Sequence, residues 1–160
     1  MTTKSDYTEE EWNGLIEAPM MGGTYIITAD VSVTAMGKEM KGMLKAMQAQ
    51  DAPAAAADLV AAVVADVMAK TANKEKMGSP EFDKHEDPMP QFLQTITAGV
   101  AVLDTKATPE EAAGYKQWLM RIAQATAEAG KEGGILGIGA VRVSDKEKAA
   151  IDQLGSALGV

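Results

Sequence analysis

The sequence predicts an all-α protein, a compact bundle of about five to six helices. Helix start signals recur along the chain, because Thr8, Thr108 and Ser144 are each followed three residues later by Glu, the spacing of a capping box. Between these starts, apolar residues repeat with the period of amphipathic helices. Residues 24–30 are rich in β-branched side chains, but no second convincing strand is present to pair with them, so a sheet is not expected.

Length and composition fit one helical domain with a buried core. The chain has 160 residues, and 46% of them are hydrophobic although only 4% are aromatic, which suits closely packed helices. A net charge of -8 opposes binding to nucleic acid and to anionic membranes. The lack of cysteine excludes disulfides and thiolate chemistry. We expect a cytoplasmic protein with no transmembrane segment, because no long uncharged apolar stretch or signal sequence is present.

The first helix is expected to begin after the cap at Thr8. Its core-facing residues would be Trp12, Leu15 and Ile16. Pro19 and the pair Gly22-Gly23 should kink or interrupt this helix, since proline lacks the backbone N–H that a helix interior needs. The following residues, 24–30, are compatible with either a helix or a strand.

One folded domain is expected over residues 8–160, preceded by a flexible N-terminal tail at 1–7. A charged segment with several prolines, at about 73–90, has the composition of a surface loop. This loop contains His85, the only histidine, among acidic neighbours at consecutive positions that cannot all converge on one ion. A solvated run of charges is the expected role, and a lone histidine here gives no support for a catalytic triad.

The second helix, over residues 35–50, carries a methionine stripe. Four methionines fall within an arc of about 60° at the helical period, with three lysines opposite. The methionines are Met36, Met40, Met43 and Met47, and the lysines are Lys38, Lys41 and Lys45. Such a stripe can be a buried packing face, a groove for a partner helix or, less readily without Cys or a nearby His, a soft ligand set for Cu(I).

Four more helices follow. The third comes after Pro53, the fourth has Gly99 on its apolar face for a close helix crossing, the fifth runs from the cap at Thr108 to near Gly130, and the last follows Ser144. The apolar residues expected to face the core are, in chain order, Leu59, Val60, Val63, Val64, Val67, Phe92, Leu93, Ile96, Val100, Leu103, Tyr115, Trp118, Leu119, Ile122, Ile151, Leu154 and Leu158.

A glycine-rich apolar segment at 133–143 precedes the last helix. It lacks the Gly-Lys-Ser/Thr ending of a phosphate-binding P-loop, and Arg142 stands where a dinucleotide-binding loop needs its third glycine. We therefore predict no catalytic residues and no organic cofactor. The segment either packs beneath the bundle or forms an interaction surface through Ile135, Leu136 and Ile138.

Several motifs together resemble a group of uncharacterised bacterial all-helical proteins. They are Glu10-Glu11-Trp12, Ala18-Pro19, Ala29-Asp30 and Gly133-Gly134-x-Leu136-Gly137-x-Gly139-x-Val141-x-Val143-Ser144-x-x-Glu147. More remotely, Ala29-Asp30, the Ser144-x-x-Glu147 helix start and the final Leu158-Gly159 are similar to the tellurite-resistance TerB-like helical domains, although Val31 replaces the glycine that follows Asp in that family.

Two functions from different classes follow. The leading hypothesis is a non-enzymatic helical domain for protein-protein interaction, with a protein partner or through self-association. The alternative, implied by the resemblance to TerB-like domains, is a divalent-metal-binding or stress-response domain. In that case Asp30, Glu132, Asp145 and Glu147 would supply oxygen ligands, which suit a hard ion such as Ca²⁺.

Overall fold

The computed structural model of the protein describes residues 1–75, 82–130 and 143–160, with the side chains of Val33 and Thr34 excepted. Every regular element within these residues is helical, which confirms the predicted all-α bundle. The longer helices are α1 (Glu9–Ala29), α2 (Val33–Ala49), α3 (Ala57–Ala72), α4 (Pro88–Val100), α6 (Pro109–Ala129) and α7 (Asp145–Leu158). The single-turn α5 (Leu103–Lys106) links α4 to α6, and 3₁₀ turns occur at Lys4–Asp6 and Ala54–Ala56.

The two longest helices, α1 and α6, form the centre of the bundle. Each has 21 residues, and they pack against each other. Helix α4 lies along α1, α2 lies along α6, and α7 contacts both central helices. Nearly all the apolar residues predicted to face inward are buried in one core, although Leu93 and Ile151 are only partly covered.

Helix α1 continues without a break through Pro19 to Ala29, so the expected interruption is wrong and residues 24–29 are helical. A proline at position 19 leaves the carbonyl of Leu15 without its usual helical donor. The Tyr115 hydroxyl of α6 donates a hydrogen bond to that carbonyl at 2.5 Å, in the buried interior. The proline is therefore tolerated because a side chain from another helix replaces the missing backbone donor.

Close packing also explains two glycines of α1. A Cβ placed on Gly14 would lie 2.9 Å from the Cα of Gly99, so α1 and α4 cross at a distance that only glycine permits. This confirms the predicted role of Gly99. A Cβ on Gly23 would overlap the side chain of Met43, so this glycine makes room for α2.

The predicted helix starts are correct, with one difference at α6. Thr8 and Ser144 each form a reciprocal capping box with the Glu three residues later. Thr108 caps the N–H of Glu111, but the Glu111 carboxylate does not return the hydrogen bond. That carboxylate instead accepts from the backbone N–H of Thr2 at 2.9 and 3.0 Å.

The first seven residues make further contacts with the bundle. Tyr7 is buried, and its hydroxyl lies 2.7 Å from the hydroxyl of Thr2. Lys4 pairs with Asp66 of α3 at 2.6 Å, and the same carboxylate accepts from the indole N–H of Trp12. These contacts fix the first turn of the chain against α1, α3 and α6.

Helix α4 begins at Pro88, so the last residues of the loop expected at about 73–90 are helical. Asp87 caps it by accepting from the N–H of Met89 at 3.0 Å, and Pro88 occupies the first turn, where its missing N–H costs nothing. The described part of this loop is exposed around His85, whose backbone N–H binds the Asp83 carboxylate at 2.8 Å.

Candidate interaction surface

Helix α2 divides its methionines between the core and the surface. Met43 and Met47 are 0% and 1% exposed, whereas Met36 and Met40 are 38% and 45% exposed. Of the three alternatives for this stripe, a buried packing face therefore describes only half of it. Leu44, one turn beyond Met40, is also exposed at 37%.

The division follows from how α2 is rotated against its neighbours. Its buried residues run from Glu39 through Met43 to Met47, an arc that is centred on Met43 at about 100° per residue. The predicted arc is centred about 30° away, toward Met40. That rotation buries the flank carrying Glu39 and leaves the flank carrying Met40 and Leu44 uncovered. Met36 lies within the angular range of the buried arc, and its exposure instead follows from its place in the first turn of α2. We call the exposed residues Met36, Met40, Leu44 and Met68 the methionine surface.

Met68 extends this surface onto α3. Its side chain is 42% exposed, and the amide of Gln48, from the last turn of α2, approaches its sulfur at 3.6 Å. Methionine side chains are flexible and polarisable, which lets such a surface adapt to the shape of a partner. The helical period grouped the methionines of α2 on one face. It could not show that Met68, on another helix, lies next to that face.

Glu39 is the functional candidate that the sequence analysis missed. It is 3% exposed, and its Oε2 has no hydrogen-bond partner within the described part of the chain, a condition it shares there with the indole nitrogen of Trp118. Burial raises the pKa of Glu39, and the nearby negative charges of Glu147 and Asp30 raise it further. The sequence contained one indication of this burial: Glu39 lies one helical turn before Met43, on the same side of α2.

The proposed metal ligands are only partly brought together. Asp30 directly follows the last residue of α1 and lies 3.6 Å from the Lys146 ammonium, and Asp145 pairs with Lys148 at 3.1 Å. The Glu147 carboxylate accepts from the backbone N–H of Ser144 at 2.8 Å. Glu132 lies outside the described residues. Over the described ranges, no three His, Asp or Glu side chains are grouped closely enough to hold a metal ion.

The predicted interaction residues of the glycine-rich segment, Ile135, Leu136 and Ile138, also lie outside the described residues. Val143, the first described residue after it, is 9% exposed and belongs to the core.

No single helix within the described residues is long and apolar enough to cross a membrane. Only Ala35–Ala49 and Ala54–Ala72 taken together reach the required length and composition, and these two segments meet at 86°. The residues α3 contributes to the core are among the most completely buried in the protein.

The fold and this surface define a class, an all-helical bundle with an exposed, methionine-rich helix face. Comparison of the chain with family models, curated proteins and solved structures gave no match.

Proposed function

We propose that this protein is a non-enzymatic helical domain that binds another protein through the methionine surface. The observation that carries the proposal is the exposure of Met36, Met40 and Leu44 on a helix whose adjoining arc, with Met43 and Met47, is packed into the core. Exposed apolar side chains grouped on one element are typical of recognition surfaces rather than of a monomer's ordinary exterior. Methionine is favoured on such surfaces because it can repack against different partners.

The partner segment that fits best is an amphipathic helix. Helices that dock on helical bundles insert apolar side chains spaced by three and four residues into an apolar strip of similar spacing. Met36, Met40 and Leu44 follow one another at intervals of four residues along α2, which gives such a strip.

Site-specific photocrosslinking tests this function. A benzoylphenylalanine probe replaces Met40 in one variant and the exposed Glu10 of α1 in a control variant, and both are expressed in the native host. We expect one protein to crosslink to position 40 and not to position 10. The same protein, once purified, should bind the unmodified chain, and Met40→Gln should weaken that binding at least about tenfold.

A matched variant separates binding from general loss of apolar surface. Val160→Gln removes another exposed apolar side chain, at the end of the chain, and should leave the affinity unchanged. If Met40→Gln and Val160→Gln bind the partner equally well, the methionine surface is not the contact.

The glycine-rich segment is a second proposed contact, through Ile135, Leu136 and Ile138. Leu136→Asp and Ile138→Asp should weaken partner binding while the melting temperature stays unchanged. If the substitutions unfold the protein, these side chains stabilise the fold and do not form a contact with a partner.

We propose divalent cation binding, as in TerB-like domains, as a second candidate function. The observation that favours it is the buried Glu39 carboxylate, which has an unpartnered oxygen among the described residues and faces the charges of Asp30 and Glu147. Because no three acidic side chains of the described residues converge on one point, such a cation would be held by Glu39 and water, and it would offset the repulsion that Glu39 feels from Glu147 and Asp30. Calcium should then raise the melting temperature of the protein but not that of Glu39→Gln, and a flat response in both would exclude this function.

A further inference from the structure

A second feature of α2 is a groove on its other flank, where it meets α6. The groove has a volume of about 520 Å³ and is open to solvent. Small residues form its floor, namely Gly42, Ala46 and Ala49 of α2 with Ala125 and Ala129 of α6. A floor without large side chains leaves room for the ridge of side chains that another helix presents.

The α2 side of this groove is positively charged. Lys38, Lys41 and Lys45 line it, and within the described part of the chain Lys41 and Lys45 form no ion pair. The one acidic residue of α2, Glu39, is buried. The exposed charge of α2 is therefore entirely positive in a chain whose net charge is -8.

The α6 side of the groove carries an acidic residue, Glu128, which among the described residues forms no ion pair with Lys41 or Lys45. Its carboxylate accepts a hydrogen bond from the Gln124 amide at 2.7 Å. A positive strip along an apolar floor selects a ligand that is apolar on one side and acidic at the edges.

We infer that the groove between α2 and α6 binds an acidic amphipathic helix of a partner protein. The inference rests on the proposed function and adds a second contact with the partner protein, on the side of α2 that faces away from the methionine surface. A second copy of this chain fits poorly, because a two-fold contact through α2 would set Lys41 and Lys45 against the same lysines. A bilayer is flat and would not reach the groove floor, and the overall negative charge opposes an anionic membrane or nucleic acid.

The test is a fluorescence-anisotropy titration with a synthetic helical peptide that carries a Leu and Ala ridge flanked by Glu. A matched peptide has Lys in place of each Glu, and anionic vesicles serve as a third ligand. We expect the acidic peptide to bind, the basic peptide and the vesicles not to bind, and added salt to weaken the complex.

Charge-reversal variants assign the binding to the groove. Lys41→Glu with Lys45→Glu should lower the affinity for the acidic peptide at least about tenfold. Lys74→Glu with Lys84→Glu makes the same charge change at exposed positions outside the groove and should have a much smaller effect. Circular dichroism checks that each variant is folded, and Lys41→Gln with Lys45→Gln, which should show a smaller loss, replaces the first pair if that pair unfolds.

Three results would overturn the inference: equal binding of the basic peptide, binding of vesicles alone, or equal losses in the two charge-reversed variants. Failure of the groove and failure of the proposed function are distinguishable. If a natural partner still crosslinks to position 40 while the lysine variants bind it normally, the methionine surface is a contact and the groove is not.

Discussion

Met43 and Met47 of α2 are buried against the rest of the bundle, whereas Met36 and Met40 of the same helix are exposed to solvent. The four residues have the same chemistry and the same helical spacing, so composition does not separate them. What separates them is how much of the apolar arc of α2 its neighbours cover. The uncovered part is the one that we propose binds a partner.

The largest difference between the two pairs should appear in stability. Met43→Ala removes a side chain that is fully buried beside Gly23, and we expect the free energy of unfolding to fall by about 2–5 kcal/mol. Met40→Ala, at the exposed position, should change it by less than about 0.5 kcal/mol. Urea unfolding of both variants measures this, and similar losses in the two would mean that the methionine surface is part of the core.

A smaller effect is expected where α1 meets α6. Tyr115→Phe removes the donor for the Leu15 carbonyl that Pro19 leaves unpaired, which should cost about 1–3 kcal/mol of unfolding free energy. In a Pro19→Ala background, the backbone N–H of residue 19 can satisfy that carbonyl, so the same Tyr115→Phe change should cost less. Additive losses in the double-mutant cycle would show that the hydroxyl does not compensate for the proline.

The smallest stability effect concerns the buried flank of α2 and depends on pH. Because the pKa of Glu39 is raised in the folded state, folding is penalised when this carboxyl is ionised in both states, and the penalty falls as the pH drops through the folded pKa. Glu39→Gln should therefore stabilise the protein by about 1 kcal/mol at neutral pH, with the gain disappearing in acid. Asp152→Asn, at an exposed position of α7, is the control. A pH-independent difference between Glu39→Gln and the native chain would contradict this account.

Local chemistry made part of this fold predictable. Thr8 and Ser144 marked helix starts because capping is decided within three residues of the cap, and the absence of a side chain at Gly99 indicated a close crossing. The continuity of α1 was not predictable, because the donor that satisfies the Leu15 carbonyl in place of residue 19 is the Tyr115 hydroxyl, 100 residues from Leu15 in the chain. Only the packing of α1 on α6 brings the Tyr115 hydroxyl next to the Leu15 carbonyl.

The candidate site was harder to predict than the fold. The helical period identified the methionines of α2, but it placed the centre of the buried arc too close to Met40. If α2 is rotated by about 30°, Met40 moves out of the core and Glu39 moves into it. Neither the exposure of Met40 nor the burial of Glu39 could be derived without knowing where α6 lies.

Methionine oxidation measured residue by residue tests the central claim most directly, because peroxide reaches exposed thioethers faster than buried ones. In the free protein, we predict that Met36 and Met40 are oxidised early and that Met43 and Met47 are oxidised last. Binding of the partner should slow oxidation of the first pair and leave the second pair unchanged. Equal protection of all four methionines in the free protein, or no added protection of Met36 and Met40 in the complex, would contradict a recognition surface on α2.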